Sequence, residues 1–259
     1  PHGNPPDGHL EPTGPAMLQA VLAWQAAAVL EDMNDPESGR GAILRREGEA
    51  LLQAFEVAFF DGNQLWDDLA HSRQSEHVPS LALLTGSSLS DVAEAMLGDD
   101  WFSREPARCT VYFSHYLFEA YGRIGRTDLL LRKLDLWRGY LADGLYTAIE
   151  MPEPTRSDCH AWGAHPLFHF HATLAGIRPT GPDFASVMVN PCLGGLASVE
   201  GAVPHPAGGE IAYSLTPDGG CVEIPDGLRV SGVGHVGWYR GKGDPTPLSP
   251  GQNPVGPPR

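Results

Sequence analysis

Apolar side chains recur every three or four residues through the first two thirds of the chain, which is the spacing of helices with one buried face. About seven helices joined by short loops are predicted from this period. They fall near residues 16–30, 41–60, 79–84, 89–97, 111–124, 127–141 and 164–175. Ser88 and Asp91 predict a capping box for the fourth helix, and Thr127 is predicted to cap the sixth. The expected arrangement is a stack of helical hairpins.

The pattern changes at Gly176, which with Pro179 predicts the end of the last helix. Beyond it, apolar and polar residues alternate and Gly or Pro follows every few positions, which is typical of short strands and turns. Strands are predicted near residues 186–190, 197–203, 210–216 and 221–224, with a hairpin turn at 217–220. Their shared apolar face is expected to pack on the last helix as a small antiparallel β-domain.

These patterns predict a mainly α protein with a small β-domain. The expected segments are an N-terminal loop (1–15), helical hairpins (16–178), a β-domain (179–240) and a disordered tail (241–259) that lacks apolar periodicity.

Size and charge narrow the class of function. The 259 residues, of 27.8 kDa, are enough to bury a large core. A net charge of -15 argues against nucleic acid and anionic membranes as partners, and no apolar run approaches the ~20 residues of a membrane helix. Four widely separated cysteines without a C-x-x-C motif predict reduced thiols in a cytoplasmic protein. The chain starts at Pro1 rather than Met, so the compartment stays open.

Candidate chemistry is concentrated between residues 137 and 166. Pro152 and Pro154 cannot continue a helix, which predicts irregular backbone for Glu150 at a helix mouth, where a carboxylate meets ligands. The alternative is that Glu150 caps a helix or forms an ion pair. Glu153 and Asp158 are nearby acids expected to be solvated loop charges.

Aromatic and imidazole side chains follow the same stretch. His160 can donate to and accept from sugar hydroxyls, and the ring of Trp162 can cover the apolar face of a hexose, although both residue types also occur as packed core side chains. His165 and His169 have a metal-compatible i, i+4 spacing, but no H-E-x-x-H pattern accompanies them, so neither a metal nor a cofactor is predicted.

One glycine motif is set aside. Gly232, Gly234 and Gly237 spell G-x-G-x-x-G, which indicates dinucleotide binding only between a strand and a helix, and this stretch lies in a predicted β-region.

The order of motifs between Trp137 and Pro179 resembles the C-terminal part of glycoside hydrolase family 78, the α-L-rhamnosidases. The motifs are W-x-x-x-L-x-x-G, T-x-x-E, S-x-C-H-A-W-G-x-x-P and L-x-G-I-x-P. The resemblance implies an (α/α)6 barrel of six helical hairpins and inverting removal of terminal L-rhamnose. It also implies that Glu150 is the general base and that His160 contacts the sugar. Trp162, Asp158 and His77 are further candidate substrate contacts, His77 because family members have a similar S-x-H before a hairpin.

A six-hairpin barrel has twelve helices, so this resemblance implies a partial barrel whose earlier half, with the general acid, precedes residue 1. The expected substrate is a terminal α-L-rhamnoside on a plant glycoside or polysaccharide, and little activity is expected of the chain alone. Glu119 and Asp67 are the acids that would have to substitute if the chain turned over unaided. Two alternatives are another six-hairpin inverting glycosidase acting on a different sugar, and a non-catalytic carbohydrate-binding or structural remnant.

Overall fold

The computed structural model describes residues 13–98, 106–151, 154–225, 231–234, 246–248 and 250–255, the backbone alone for 231–234 and 246–248. The chain divides into two compact units between Ala120 and Tyr121. The sequence had suggested a boundary near residue 178 instead, at the change of period. The two units are described separately.

The first unit is helical. Its helices are α1 (Gly14–Asn34), α2 (Arg40–Ala58), α3 (His77–Thr85), α4 (Ser90–Met96) and the first part of α5 (Ser114–Ile124). Helix α1 begins at the N-cap Thr13, whose hydroxyl accepts from the Ala16 amide at 3.4 Å, and Pro15 occupies its first turn. Helices α1 and α2 pack closely where Gly41 faces Ala28. A Cβ added at Gly41 would lie only 2.9 Å from the carbonyl oxygen of Ala28.

The predicted capping box at α4 is wrong. Its N-cap is Leu89, without a side-chain cap, and the hydroxyl of Ser88 donates instead to Oε2 of Glu56 at 2.8 Å. The Ser87 hydroxyl also donates to Glu56, at 2.6 Å. Tertiary contacts with a carboxylate on α2 therefore replace the local cap.

The second unit contains the rest of α5, then α6 (Thr127–Lys133), α7 (Asp135–Ala142) and a short α8 (Pro166–His169) that continues as a π-helical turn (Phe170–Leu174). A single helix had been predicted over residues 127–141, and the structure divides it at Leu134.

Thr127 does not cap α6, contrary to expectation. Arg126 is the N-cap, while the Thr127 hydroxyl donates to the carbonyl oxygen of Cys192 at 2.8 Å. The predicted left-handed end of the last helix is confirmed, since Gly176 has φ +70°.

Two four-stranded sheets follow. The strands are β1 (Ile177–Pro179), β2 (Ser186–Val189), β3 (Val199–Pro204), β4 (Glu210–Thr216), β5 (Gly219–Ile224), β6 (Ser231–Gly234), β7 (Thr246–Leu248) and β8 (Gly251–Val255). One sheet has the order β1-β2-β6-β7 and the other β3-β4-β5-β8, in which all neighbours are antiparallel. The predicted hairpin at 217–220 joins β4 to β5. In the first sheet β2 and β6 run parallel, which alternation alone did not predict.

Both sheets contribute to one apolar core with the end of the π-helical turn. Val187 and Val189 of β2 lie in the same buried cluster as Ile211 and Leu215 of β4, together with Ala175. The alternating burial of β4 produces this face, because its odd-numbered residues from 211 to 215 are buried and Glu210, Ser214 and Thr216 are exposed.

The segment after Gly241 had been predicted to be a disordered tail. Among its described residues, β7 pairs with β6 and β8 pairs with β5, and Val255 joins the core. Sheet pairing thus gives structure to a stretch whose Pro and Gly content concealed the strand pattern. No helix among the described residues is both long and apolar enough to span a membrane.

Candidate functional site

The candidate site lies in the loop that follows α7. Leu145 donates to the Tyr140 carbonyl at 2.9 Å and closes the helix, and Gly144 adopts φ +83°. Two later backbone bonds fold the loop back on itself: His160 donates to the Ala148 carbonyl at 2.6 Å, and Glu150 donates to the Ser157 carbonyl at 3.0 Å. The Glu150 and His160 backbones are therefore held on facing arms of one loop.

Local sequence explains this shape. Ile149 is fully buried and anchors the first arm, so its neighbours Ala148 and Glu150 lie beside the core rather than in it. On the other arm, the hydroxyl of Thr155 donates to the Ser157 carbonyl at 3.0 Å, a local side-chain bond of the kind that stabilises turns.

The carboxylate of Glu150 forms a two-point ion pair with Arg156. Nε of Arg156 donates to Oε2 at 3.0 Å, and Nη2 donates to Oε1. The Glu150 side chain is 12% exposed and the Arg156 side chain 76% exposed. The pair raises the pKa of the Arg156 guanidinium, first through its hydrogen bond to Glu150 and then through the attraction of the opposite charge. Glu150 is thus mostly buried and held in an ion pair, the alternative that the sequence had left open.

His160 and Trp162 lie at the end of the second arm. Their ring centroids are 6.3 Å apart at an interplanar angle of 33°, and the indole of Trp162 is 59% exposed. The backbone behind them is fixed, because the indole nitrogen of Trp137 donates to the Gly163 carbonyl at 2.8 Å. An exposed ring on a fixed backbone has the geometry of a stacking platform.

Asp158 lies between these groups. It is exposed, and its main-chain carbonyl accepts from the hydroxyl of Thr147. Glu153, the other nearby acid, lies outside the described residues. Glu150, Asp158, His160 and Trp162 therefore share one loop, whereas His77 belongs to the first unit.

Two histidines, His165 just before α8 and His169 at its end, contribute to the packing of the fold. His169 is fully buried, and its Nδ1 lies 2.9 Å from the hydroxyl of Thr173, to which Arg178 also donates at 2.9 Å. The His165 ring packs edge-on against the His169 ring at 5.4 Å. These contacts link α8 through the π-helical turn to β1.

In the first unit, His77 is only 6% exposed and its ring packs on Phe113 at 4.1 Å. The preceding residue, Glu76, is also buried and accepts from Arg108 at 3.1 Å and from the Cys109 amide at 2.5 Å. Sequence reasoning selected His77 but missed Glu76, whose charge is compensated by residues more than thirty positions away.

Two adjacent acids before α3 differ in their electrostatics. Burial raises the pKa of Asp67 to about 7, against the opposing effect of a Ser75 hydrogen bond, and Asp68 raises it further. Burial also acts to raise the pKa of Asp68, but hydrogen bonds from Ser72 and Arg73 lower it below its ordinary value. Asp67, at 5% exposure, is a buried acid that holds its proton close to neutral pH.

Two solved structures share the fold of this chain. A GH78 family rhamnosidase of Bacillus sp. GL1 superposes with a TM-score of 0.70 and 21% identity, over 84% of this chain and 26% of that chain. The chain has the fold of part of a GH78 α-L-rhamnosidase. The native α-L-rhamnosidase from Aspergillus terreus matches with a TM-score of 0.72 and 15% identity, over 90% of this chain and 29% of that chain. This chain thus spans less than a third of either structure. No protein-family model matches it, and no curated protein matches its sequence.

Proposed function

We propose that this chain forms part of a glycoside hydrolase that removes terminal α-L-rhamnose, by inversion, from a plant glycoside or polysaccharide. The fold it shares with part of two rhamnosidases supports the class of enzyme. The observation that carries the proposal is the loop after α7, whose backbone bonds hold Glu150 and His160 on facing arms.

Glu150 acts as the general base in this proposal. Inversion requires a carboxylate that takes a proton from water on one face of the sugar and an acid that protonates the leaving oxygen on the other, about 6.5–9.5 Å away. A glutamate is ordinarily ionised near neutral pH, so this role needs placement rather than a shifted pKa.

His160 and Trp162 bind the sugar. The imidazole can donate to one hydroxyl and accept from another, and the exposed indole can cover an apolar sugar face. Asp158, exposed on the same arm, accepts from a further hydroxyl in this proposal. His77 stays a predicted substrate contact, although its burial against Phe113 fits a packing role equally well.

The general acid is expected outside this chain. Asp67 has the raised pKa that the role needs, but its 5% exposure keeps its carboxyl away from a ligand. Losing general acid assistance costs about 10²- to 10⁴-fold in rate, so natural rhamnosides should turn over very slowly on the chain alone.

The test is hydrolysis of 4-nitrophenyl α-L-rhamnoside, whose nitrophenolate leaving group needs little protonation. We expect slow but measurable release of nitrophenol, reduced at least about 10²-fold by Glu150→Gln. The matched control is Glu200→Gln, because Glu200 is an exposed glutamate on β3 bonded only weakly, at 3.2 Å, to Ser214. Full activity in the Glu150→Gln variant would remove Glu150 from the mechanism.

A second candidate function is carbohydrate binding without catalysis. It is favoured by the ion pair, because Arg156 engages both oxygens of the proposed base. Binding of L-rhamnose without any turnover of the nitrophenyl substrate would decide for it.

A further inference from the structure

The two partners of the Glu150–Arg156 ion pair are held very differently. Glu150 follows the buried anchor Ile149, its amide is bonded to Ser157, and its side chain is 12% exposed. The Arg156 side chain is 76% exposed, with several rotatable bonds between its backbone and its guanidinium. If the pair opens, Arg156 is the partner that moves.

The pair opposes the role proposed for Glu150. A general base must accept a proton, and a guanidinium against both carboxylate oxygens favours the ionised form over the protonated one. It also fills lone-pair positions that an attacking water would use. The geometry that holds Glu150 in place is therefore not the geometry in which it takes a proton.

Opening the pair is within reach of a sugar ligand. The Arg156 side chain is 76% exposed, so water can take over the guanidinium hydrogen bonds that are lost when the pair opens. A sugar hydroxyl accepts hydrogen bonds as well as donating them, so it can take a donor from Arg156 and offer its own proton to Glu150.

We propose that Arg156 is a releasable clamp: it fixes both oxygens of Glu150 in the free protein and gives up at least one of them when a rhamnoside binds. This inference rests on the proposed function and adds a positioning residue to it. The clamp keeps the base oriented and charged until the ligand arrives, and its release restores the ability of Glu150 to accept a proton.

The experiment follows the pair directly by NMR, without requiring turnover. The Arg156 Nε–H signal is assigned by its loss in Arg156→Lys, and its position without a charged partner is taken from Glu150→Gln. L-Rhamnose is then added to the unaltered 259-residue chain, with D-glucose as the mismatched sugar. We expect L-rhamnose, and not D-glucose, to move the Arg156 signal toward its position in Glu150→Gln and to shift the Trp162 indole signal.

Arg138 provides an internal control, because it forms an exposed ion pair with Asp135 on α7. Its Nε–H signal should not respond to L-rhamnose, and an equal response from both arginines would indicate a general solvent effect and overturn the clamp. Circular dichroism checks that Arg156→Lys and Glu150→Gln remain folded.

The outcomes separate the two proposals. A shift of the Trp162 indole with an unchanged Arg156 signal would mean that rhamnose binds while the pair stays closed, which overturns the clamp and leaves the proposed function standing. No response of either signal to L-rhamnose would count against both.

Discussion

Replacing Asp67 by asparagine is expected to flatten the dependence of protein stability on pH. The carboxyl of Asp67 is 5% exposed, and its Oδ1 has no hydrogen-bond partner among the described residues. Such a group is easier to bury neutral than charged, which is why burial raises its pKa to about 7. Asparagine cannot ionise, so the variant never incurs the cost of a buried charge.

The magnitude follows from proton linkage. The folded protein keeps the Asp67 proton up to about pH 7, whereas an unfolded chain releases it near pH ~3.9. Between these values the folded state binds more protons, so the free energy of unfolding decreases as pH rises. A difference of about 3 pH units at 1.36 kcal/mol each corresponds to about 4 kcal/mol in full. About 3 kcal/mol of it is lost between pH 4 and pH 7, because the carboxyl is half titrated in one state at each end of this range.

The assay is urea unfolding followed by circular dichroism at pH 4, 5.5 and 7, for the unaltered chain, Asp67→Asn and the control Asp91→Asn. Asp91 is exposed in the first turn of α4. We expect Asp67→Asn to gain about 3 kcal/mol relative to the unaltered chain on going from pH 4 to pH 7. Comparing this change across pH cancels any fixed cost of the altered hydrogen bond to Ser75. Parallel pH curves for the unaltered chain and Asp67→Asn would refute the reasoning.

Two further pairs of substitutions, each a test and its control, concern the β-region. Gly176 has φ +70°, and a Cβ added there would lie 2.0 Å from the Asn190 carbonyl oxygen. We therefore expect Gly176→Ala to lower the free energy of unfolding by about 2–5 kcal/mol, measured by thermal unfolding. Gly195→Ala, at φ +92° with open space around it, should cost only about 1 kcal/mol, and equal losses would show that the close contact is unimportant. Val255→Asp places a charge in the core and should cost about 3 kcal/mol, while Gln252→Asp on the exposed side of β8 should change little. Tolerance of Val255→Asp would mean that β8 does not stabilise the sheet.

Helices were predictable where the local spacing of apolar residues agrees with the packing. Predicted helix caps were wrong where the capping side chain bonds to a distant partner. The run from residue 41 to 60 predicted α2 within two residues at either end, because Phe55 and Phe59 meet the core as their spacing suggests. Thr127 and Ser88 look like caps locally, but their hydroxyls bond to groups on remote elements. Sequence spacing carries no information about those partners.

In the candidate loop, likewise, the backbone was predictable from sequence and the side-chain contacts were not. Two prolines were enough to predict irregular backbone around Glu150. The ion pair with Arg156 was not predictable, because it depends on the backbone bonds of Glu150 and His160 that set the register of the two arms. Likewise nothing in the sequence distinguishes Asp67 from its neighbour Asp68, since hydrogen bonding in the folded protein separates their pKa values.

The edge strands of the two sheets have a property in common. Each described sheet ends in two edge strands, and a proline occurs in all four: Pro179 in β1, Pro247 in β7, Pro204 in β3 and Pro254 in β8. Proline has no amide hydrogen, so each edge lacks at least one donor that an added strand would need. The proline content that hid β1, β7 and β8 from a sequence pattern therefore also limits extension of either sheet by another chain. Association through this region, if it occurs, has to use the faces of the sheets and their side chains, and it should be sensitive to surface substitutions rather than to peptides that mimic a strand.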